Sequence, residues 1–189
     1  MVGKYKNFTK DILLYLAITG AVLIAATSPY FLLNLARFII RNRKYIKKKL
    51  DERKIARALE RLRKNRLIII TEKDGKFKVE LTEKGKRKVK EIQFENMKIE
   101  KPKVWDGKWR VVIFDIPEKY KKRARDALRE KLKALGFYPL QKSVWVIPYP
   151  CEKEIQFLCE FFNITPYVNI IVAENIYNDV KLKKHFGLL

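Results

Sequence analysis

The stretch Asp51 to Leu81, DERKIARALERLRKNRLIIITEKDGKFKVEL, constrains the fold more than any other part of the chain. Between Glu52 and Asn65, Ile55, Leu59 and Leu62 recur at i, i+4 and i+7, the spacing that gathers apolar side chains on one face of an α-helix. Arg53, Arg57, Arg61 and Lys64 then fall on the opposite face. Such a helix has to be covered on one side and left to water or a polyanion on the other. Leu67 to Thr71 is apolar and β-branched, and Phe77, Val79 and Leu81 alternate with Lys78 and Glu80. The two runs predict an antiparallel pair joined at Asp74-Gly75, with Lys73, Lys76 and Lys78 around its turn.

Charge gives that helix its direction. Lys plus Arg number 43 against 21 acids, a formal charge of +22, and an excess this large favours a polyanion through phosphate neutralisation and counterion release. It is uneven: 26 of the basic side chains and 11 of the acids fall in residues 1–100, so the polyanion belongs mainly to the first half. From Arg41 to Arg66 there are thirteen Lys or Arg and three acids, so Asp51, Glu52 and Glu60 can neutralise only a minority. Arginine on an exposed face grips phosphates and can donate two hydrogen bonds to guanine, which makes DNA contact the better reading than a solvated surface helix.

Upstream, Thr9 is a candidate N-cap for a helix starting at Lys10-Asp11 and running to Thr19-Gly20 or slightly beyond. Ser28-Pro29 predicts the start of a second helix through about Arg41. Residues Ile12 to Ala26 are apolar but short of the roughly 20 residues a spanning helix needs. A helix continuing through Pro29 would carry the run to Ile40, so a membrane-anchored chain stays as a minor alternative to a buried helix pair. Two cysteines, Cys151 and Cys159, without a CxxC pair, imply a reduced cytoplasmic setting with no disulfide framework and no zinc site.

The segment RALERLRKNRLIIITEKDGKFKVELTEKGKRKV resembles the winged helix-turn-helix of bacterial and archaeal regulators, in which a leucine-bearing recognition helix leads to GLI, a wing and LTEKG. Asn65-Arg66-Leu67-Ile68 stands here in place of the usual turn glycine. The resemblance implies duplex contacts from Arg53, Lys54, Arg57, Arg61, Arg63, Lys64 and Arg66 on the helix and its end, and from Lys73, Lys76 and Lys78 on the wing.

After a linker over residues 96–104, Trp109 to Ile116 is a dense apolar strand ended by Pro117. Glu118 to Leu135 follows as a charged helix with Ala124, Leu128, Leu132 and Leu135 inward, stopped by Gly136. Strands over Phe137 to Gln141 and Ser143 to Pro148, a helix over Cys151 to Phe162 and a strand over Tyr167 to Ala173 complete the order βαββαβ of a ferredoxin-like unit. Trp105, Trp109, Tyr138, Trp145 and Tyr149 lie in or beside strands, where packing is favoured over stacking on bases.

The stretch WDGKWRVVIFDIPEKYKKRARDALREKLKALGFYPLQKSVWVIPYPCEKEI resembles the central domain of the phenylacetate-type regulators, the PaaX family, through FDIP, the Arg-rich helix, LGF and LQKSVW. That domain is in turn similar to the small ferredoxin-like protein of CRISPR spacer acquisition. In those relatives an aspartate ends the first strand and two copies in a dimer could hold a divalent metal, a position that Asp115 matches. An Mg²⁺ or Mn²⁺ at Asp115 is therefore the alternative to a chain without cofactor. One acid per subunit is a thin metal site, and an aspartate before Ile116-Pro117 can equally cap the next helix or pair with Lys122 or Arg123. His185, the single histidine, sits in a basic tail with no acid nearby in sequence.

The expectation is an α+β chain: an N-terminal winged helix-turn-helix over residues 1–95, a linker over 96–104 and a ferredoxin-like dimerisation domain with a C-terminal tail over 105–189. Its expected function is a cytoplasmic, sequence-specific regulator of transcription that binds double-stranded DNA as a homodimer, a repressor. A CRISPR-associated metal-dependent nuclease or spacer-integration subunit using Asp115 is the alternative.

Overall fold

In the computed structural model, residues 2–25, 52–73 and 76–188 are described. They divide into two compact units, Met1–Glu95 and Asn96–Leu189.

The first unit runs α1 (Val2–Thr19), β1 (Ala21–Ala25), α2 (Glu52–Lys64), β2 (Ile68–Lys73), β3 (Lys76–Leu81) and α3 (Glu83–Asn96). Its three strands form an antiparallel sheet in the order β1-β3-β2. The core joins Ile12, Leu13 and Leu16 of α1 to Ile55, Ala58, Leu59 and Leu62 of α2, with Ile68 and Val79 from the sheet and Val89 and Ile92 from α3. Burying one leucine side chain in such a core is worth about 2 kcal/mol, so the inward row of α2 fixes the helix in place.

Two features upstream differ from the expectation. The first helix starts at Val2 rather than Lys10, because no proline interrupts the first turns and Thr9 is tolerated inside the helix. The apolar run Ile12–Ala26 is not all helix: Gly20, at φ 73°, ends α1, and Ala21–Ala25 pairs with β3 from Ala21↔Glu80 to Ala25↔Lys76. A uniformly apolar run has no period to separate helix from strand; the glycine and the unpaired edge of β3 decide it. The expected helix over Ser28 to Arg41 lies outside the described residues. Among the described residues no helix is long and apolar enough to cross a membrane.

The second unit runs β4 (Trp109–Phe114), α4 (Glu118–Ala134), β5 (Tyr138–Gln141), β6 (Val144–Ile147), α5 (Glu152–Phe162), a 3₁₀ turn (Thr165–Tyr167), β7 (Val168–Ala173) and α6 (Val180–Phe186). The antiparallel sheet has the order β5-β6-β4-β7, the ferredoxin-like arrangement in which each helix returns the chain past a neighbouring strand. Central β4 is buried along almost its whole length, which accounts for its apolar composition at every position but Arg110. On one face of the sheet Trp109, Val111 and Val146 pack with Leu182 of α6. The expected tail is thus a helix: Leu182 is buried, Phe186 one turn on packs beside it, and Gly187 at φ 66° ends it.

Candidate nucleic-acid interface

Helix α2 separates its two chemistries by face. Ile55, Ala58, Leu59 and Leu62 are fully buried, whereas Arg53, Lys54, Arg57, Arg61, Arg63 and Lys64 are exposed. One acid of this helix takes part in the arrangement: Glu60 accepts from two of the three guanidinium nitrogens of Arg63, Nε at 3.1 Å and Nη2 at 3.0 Å. That fork holds the Glu60 carboxyl below its usual range and Arg63 above its own. Arg63 is therefore occupied within the helix, while Arg57, Arg61 and Lys64 make no salt bridge among the described residues, Lys64 acting on Glu60 only through its charge.

The end of α2 resolves the missing turn glycine. Arg66 takes φ 57°, the left-handed conformation. Its N–H donates to the Arg63 carbonyl at 2.9 Å and the Leu67 N–H to the Leu62 carbonyl at 2.9 Å, the paired bonds of a Schellman cap. The Arg66 side chain is left exposed at the helix end. The LTEKG stretch clamps this turn from the other side. The Thr82 hydroxyl donates to the Arg66 carbonyl at 2.6 Å and accepts the Gly85 N–H at 3.0 Å, capping α3. Lys84 donates its Nζ to the Asn65 carbonyl at 3.1 Å, and the Thr82 N–H reaches the Leu67 carbonyl at 3.1 Å.

In the hairpin, Lys73 pairs across from Lys76 and Thr71 from Lys78. The Asp74-Gly75 turn lies outside the described residues. Lys76 is exposed, and Lys78 is exposed with its ammonium 2.5 Å from Glu80. An exposed pair of this kind is worth little and can be exchanged for a phosphate.

In the second unit, Asp115 follows β4 at an exposed position and donates its backbone N–H to the Tyr167 carbonyl at 2.9 Å. Among the described residues no three His, Cys, Asp or Glu side chains converge to hold a metal ion. His185 is exposed on α6, with its ring 4.9 Å from that of Tyr138 and 4.8 Å from that of Phe186. Trp109, Trp145 and Tyr149 are buried, so they serve packing. Cys151 and Cys159 are buried free thiols, and burial pushes them up to about 12 and about 11.

One buried cation stands outside the expected set of functional residues. Arg110 in β4 is 6% exposed. Its Nη1 and Nη2 donate to the two oxygens of Asp106 at 2.8 and 2.6 Å, and Nη1 also reaches the Lys108 and Pro148 carbonyls. Asp106 is a turn residue, as expected, accepting from the Lys108 N–H at 3.0 Å, and Gly107 at φ 75° lets the turn bring its carboxylate back over Arg110. An acid four residues before an arginine, across a glycine, was the available signal.

Residues 102–184 match the family model described as the PaaX protein central Cas2-like domain. Comparison with curated proteins finds no match.

Proposed function

We propose that this PaaX-like chain, whose second unit carries a Cas2-like domain, is a sequence-specific regulator of transcription that binds double-stranded DNA as a homodimer and represses. The observation that carries this reading is the two-sided helix α2, with Ile55, Leu59 and Leu62 buried and Arg57, Arg61 and Lys64 exposed on the other side. The α-β-α-β-β-α order of the first unit and its β1-β3-β2 sheet support a winged helix-turn-helix. In that arrangement α2 enters the major groove and the hairpin lies along the phosphate backbone. Lysines at 73, 76 and 78 then supply sequence-independent affinity, and a subset of the α2 arginines reads base edges.

Pairing through the second unit is supported by Ile171 and Val172, half-exposed apolar residues on the edge strand β7. A two-fold axis sets two copies of α2 on half-sites one helical turn apart, or a multiple of it, and combines their binding energies. Asp115 has no catalytic part in this reading. Asp115→Ala leaves DNA binding unchanged, whereas an Mg²⁺- or Mn²⁺-dependent cleavage lost in that variant favours the nuclease.

The test is selection of a binding site from random duplexes, followed by titration of Arg57→Ala and Arg61→Ala by fluorescence anisotropy. Each variant weakens binding while keeping the wild-type circular dichroism spectrum. Wild-type affinity in both overturns the assignment of α2.

A further inference from the structure

A cleft of about 910 Å³ in the second unit is lined by residues of α4 and of the β5–β6 hairpin. Four cations, Arg125, Arg129, Lys133 and Lys142, face two carboxylates, Glu118 and Glu130, and Pro139 and Trp145 supply an apolar lining.

Contacts inside the protein satisfy only part of this set. Arg125 donates Nη2 to Glu118 at 2.8 Å. Arg129 donates Nε to the Lys142 carbonyl at 2.9 Å and Nη1 to Asp126 at 3.3 Å, and its guanidinium lies 5.8 Å from the centre of the Phe114 ring. The arginine is thereby fixed in place before any ligand arrives. The ammonium groups of Lys133 and Lys142 have no carboxylate partner among the described residues. Two buried donors of lining residues, Trp145 Nε1 and Arg125 Nε, have no hydrogen-bond acceptor there either. The Arg125 Nε is 3.7 Å from Asp126, beyond hydrogen-bonding reach. The exposed ammonium groups of Lys133 and Lys142 therefore remain open to an oxyanion that enters the cleft.

We propose that this cleft binds the phosphoryl groups of a small phosphorylated molecule. Fixed arginines beside two flexible lysines suit a tetrahedral anion with several oxygens, each open to more than one donor. The volume exceeds that of a bare anion and leaves room for an organic body against Pro139 and Trp145. Glu118 and Glu130 hold the net excess of the lining to two positive charges, which matches one or two phosphoryl groups rather than an extended polyanion. None of these residues belongs to the DNA-binding set, so the proposal stands apart from the reading of α2.

The test uses the full chain with inorganic pyrophosphate as probe, followed by calorimetry and tryptophan fluorescence. Pyrophosphate binds the wild type at one site. Lys133→Ala with Lys142→Ala weakens it at least tenfold, and Glu130→Gln tightens it two- to threefold. A control that removes the same charge elsewhere in the unit, Lys153→Ala with Lys181→Ala, leaves the affinity unchanged. No binding at millimolar pyrophosphate, or an equal loss in the cleft pair and the control pair, overturns the site. Competition then separates the sources of phosphate: displacement of the probe by ATP more readily than by a single-stranded oligonucleotide at equal phosphate concentration supports the small ligand. The opposite order overturns it in favour of a nucleic-acid backbone.

Discussion

A side chain on Gly85 would overlap the backbone carbonyl oxygen of Leu67, so helix α3 meets the turn after α2 backbone to backbone. The overlap cannot be relieved by rotating a side chain, because the atom in the way is main chain. Gly85→Ala should cost about 3 kcal/mol, at the upper end of what overpacking costs in a core. The measurement is the urea midpoint followed by far-ultraviolet circular dichroism, which falls in the variant. An unchanged midpoint would show that α3 can slide away from the turn without loss.

The same turn makes a prediction of opposite sign. Arg66 occupies a left-handed conformation, φ 57°, that costs a residue with a Cβ about 1 kcal/mol relative to glycine. Arg66→Gly should therefore raise the free energy of unfolding by about 1 kcal/mol while removing one exposed cation from the end of α2. Arginine stands here where a cap favours glycine, and it projects its charge beside the cationic face. Lower stability in Arg66→Gly would contradict the strain; higher stability with weaker DNA binding would explain why arginine is there.

What the sequence made legible follows from where physics acts locally. The βαββαβ order could be read because each element of the second unit carries its own period and its own stop, such as Pro117 after β4 and Gly136 after α4. The inward row Ile55, Leu59 and Leu62 could be read for the same reason, since a helix period is visible within four turns. Strand β1 was hidden because Ala21–Ala25 is apolar throughout and its partner strand lies more than fifty residues later in the chain. Helix α6 was hidden because Leu182 and Phe186 make only a two-residue stripe, and their burial depends on Trp109 and Val146 from the sheet. The cleft on α4 was hidden for a related reason: Lys142 and Trp145 join Arg125 and Arg129 only after the hairpin folds back on the helix. The occupied state of Arg63 is a matter of rotamers, which charge spacing leaves open.

Arg110 gives the pH dependence. Its fork holds the Asp106 carboxyl well below the usual carboxylate range, at about 2, chiefly through the side-chain hydrogen bonds from Arg110. A depressed carboxylate contributes stability that is complete above its unfolded value near 4 and is lost as pH falls through about 2. Asp106 is itself substantially exposed, so screening reduces the gain. The larger effect comes from Arg110, which loses its main acceptor on Asp106→Asn and keeps only the Lys108 and Pro148 carbonyls and Glu152 at 3.5 Å. That variant should be about 2 kcal/mol less stable at pH 7. Its stability should also vary less between pH 4 and pH 2 than that of the wild type, as read from urea unfolding across that range. A parallel decline in both proteins would mean that other carboxylates dominate the acid limb.

The Glu60–Arg63 fork separates two accounts of how α2 meets a duplex. Each cation that neutralises a phosphate adds about 0.9 to the slope of log affinity against log salt. Arg57→Ala and Arg61→Ala should each weaken binding and flatten that slope by about this amount. Glu60→Gln should act the other way: it removes a carboxylate from among Lys54, Arg57 and Arg61 and releases Arg63 from its partner. The urea midpoint should stay at the wild-type value, because both partners of the ion pair are solvated. Fluorescence anisotropy from 50 to 300 mM salt, on one selected duplex, should give tighter binding and a steeper slope for Glu60→Gln. A weaker complex with an unchanged slope would mean that Glu60 holds the Arg63 guanidinium in the pose that meets a base edge. The fork would then be part of sequence readout rather than a brake on phosphate binding.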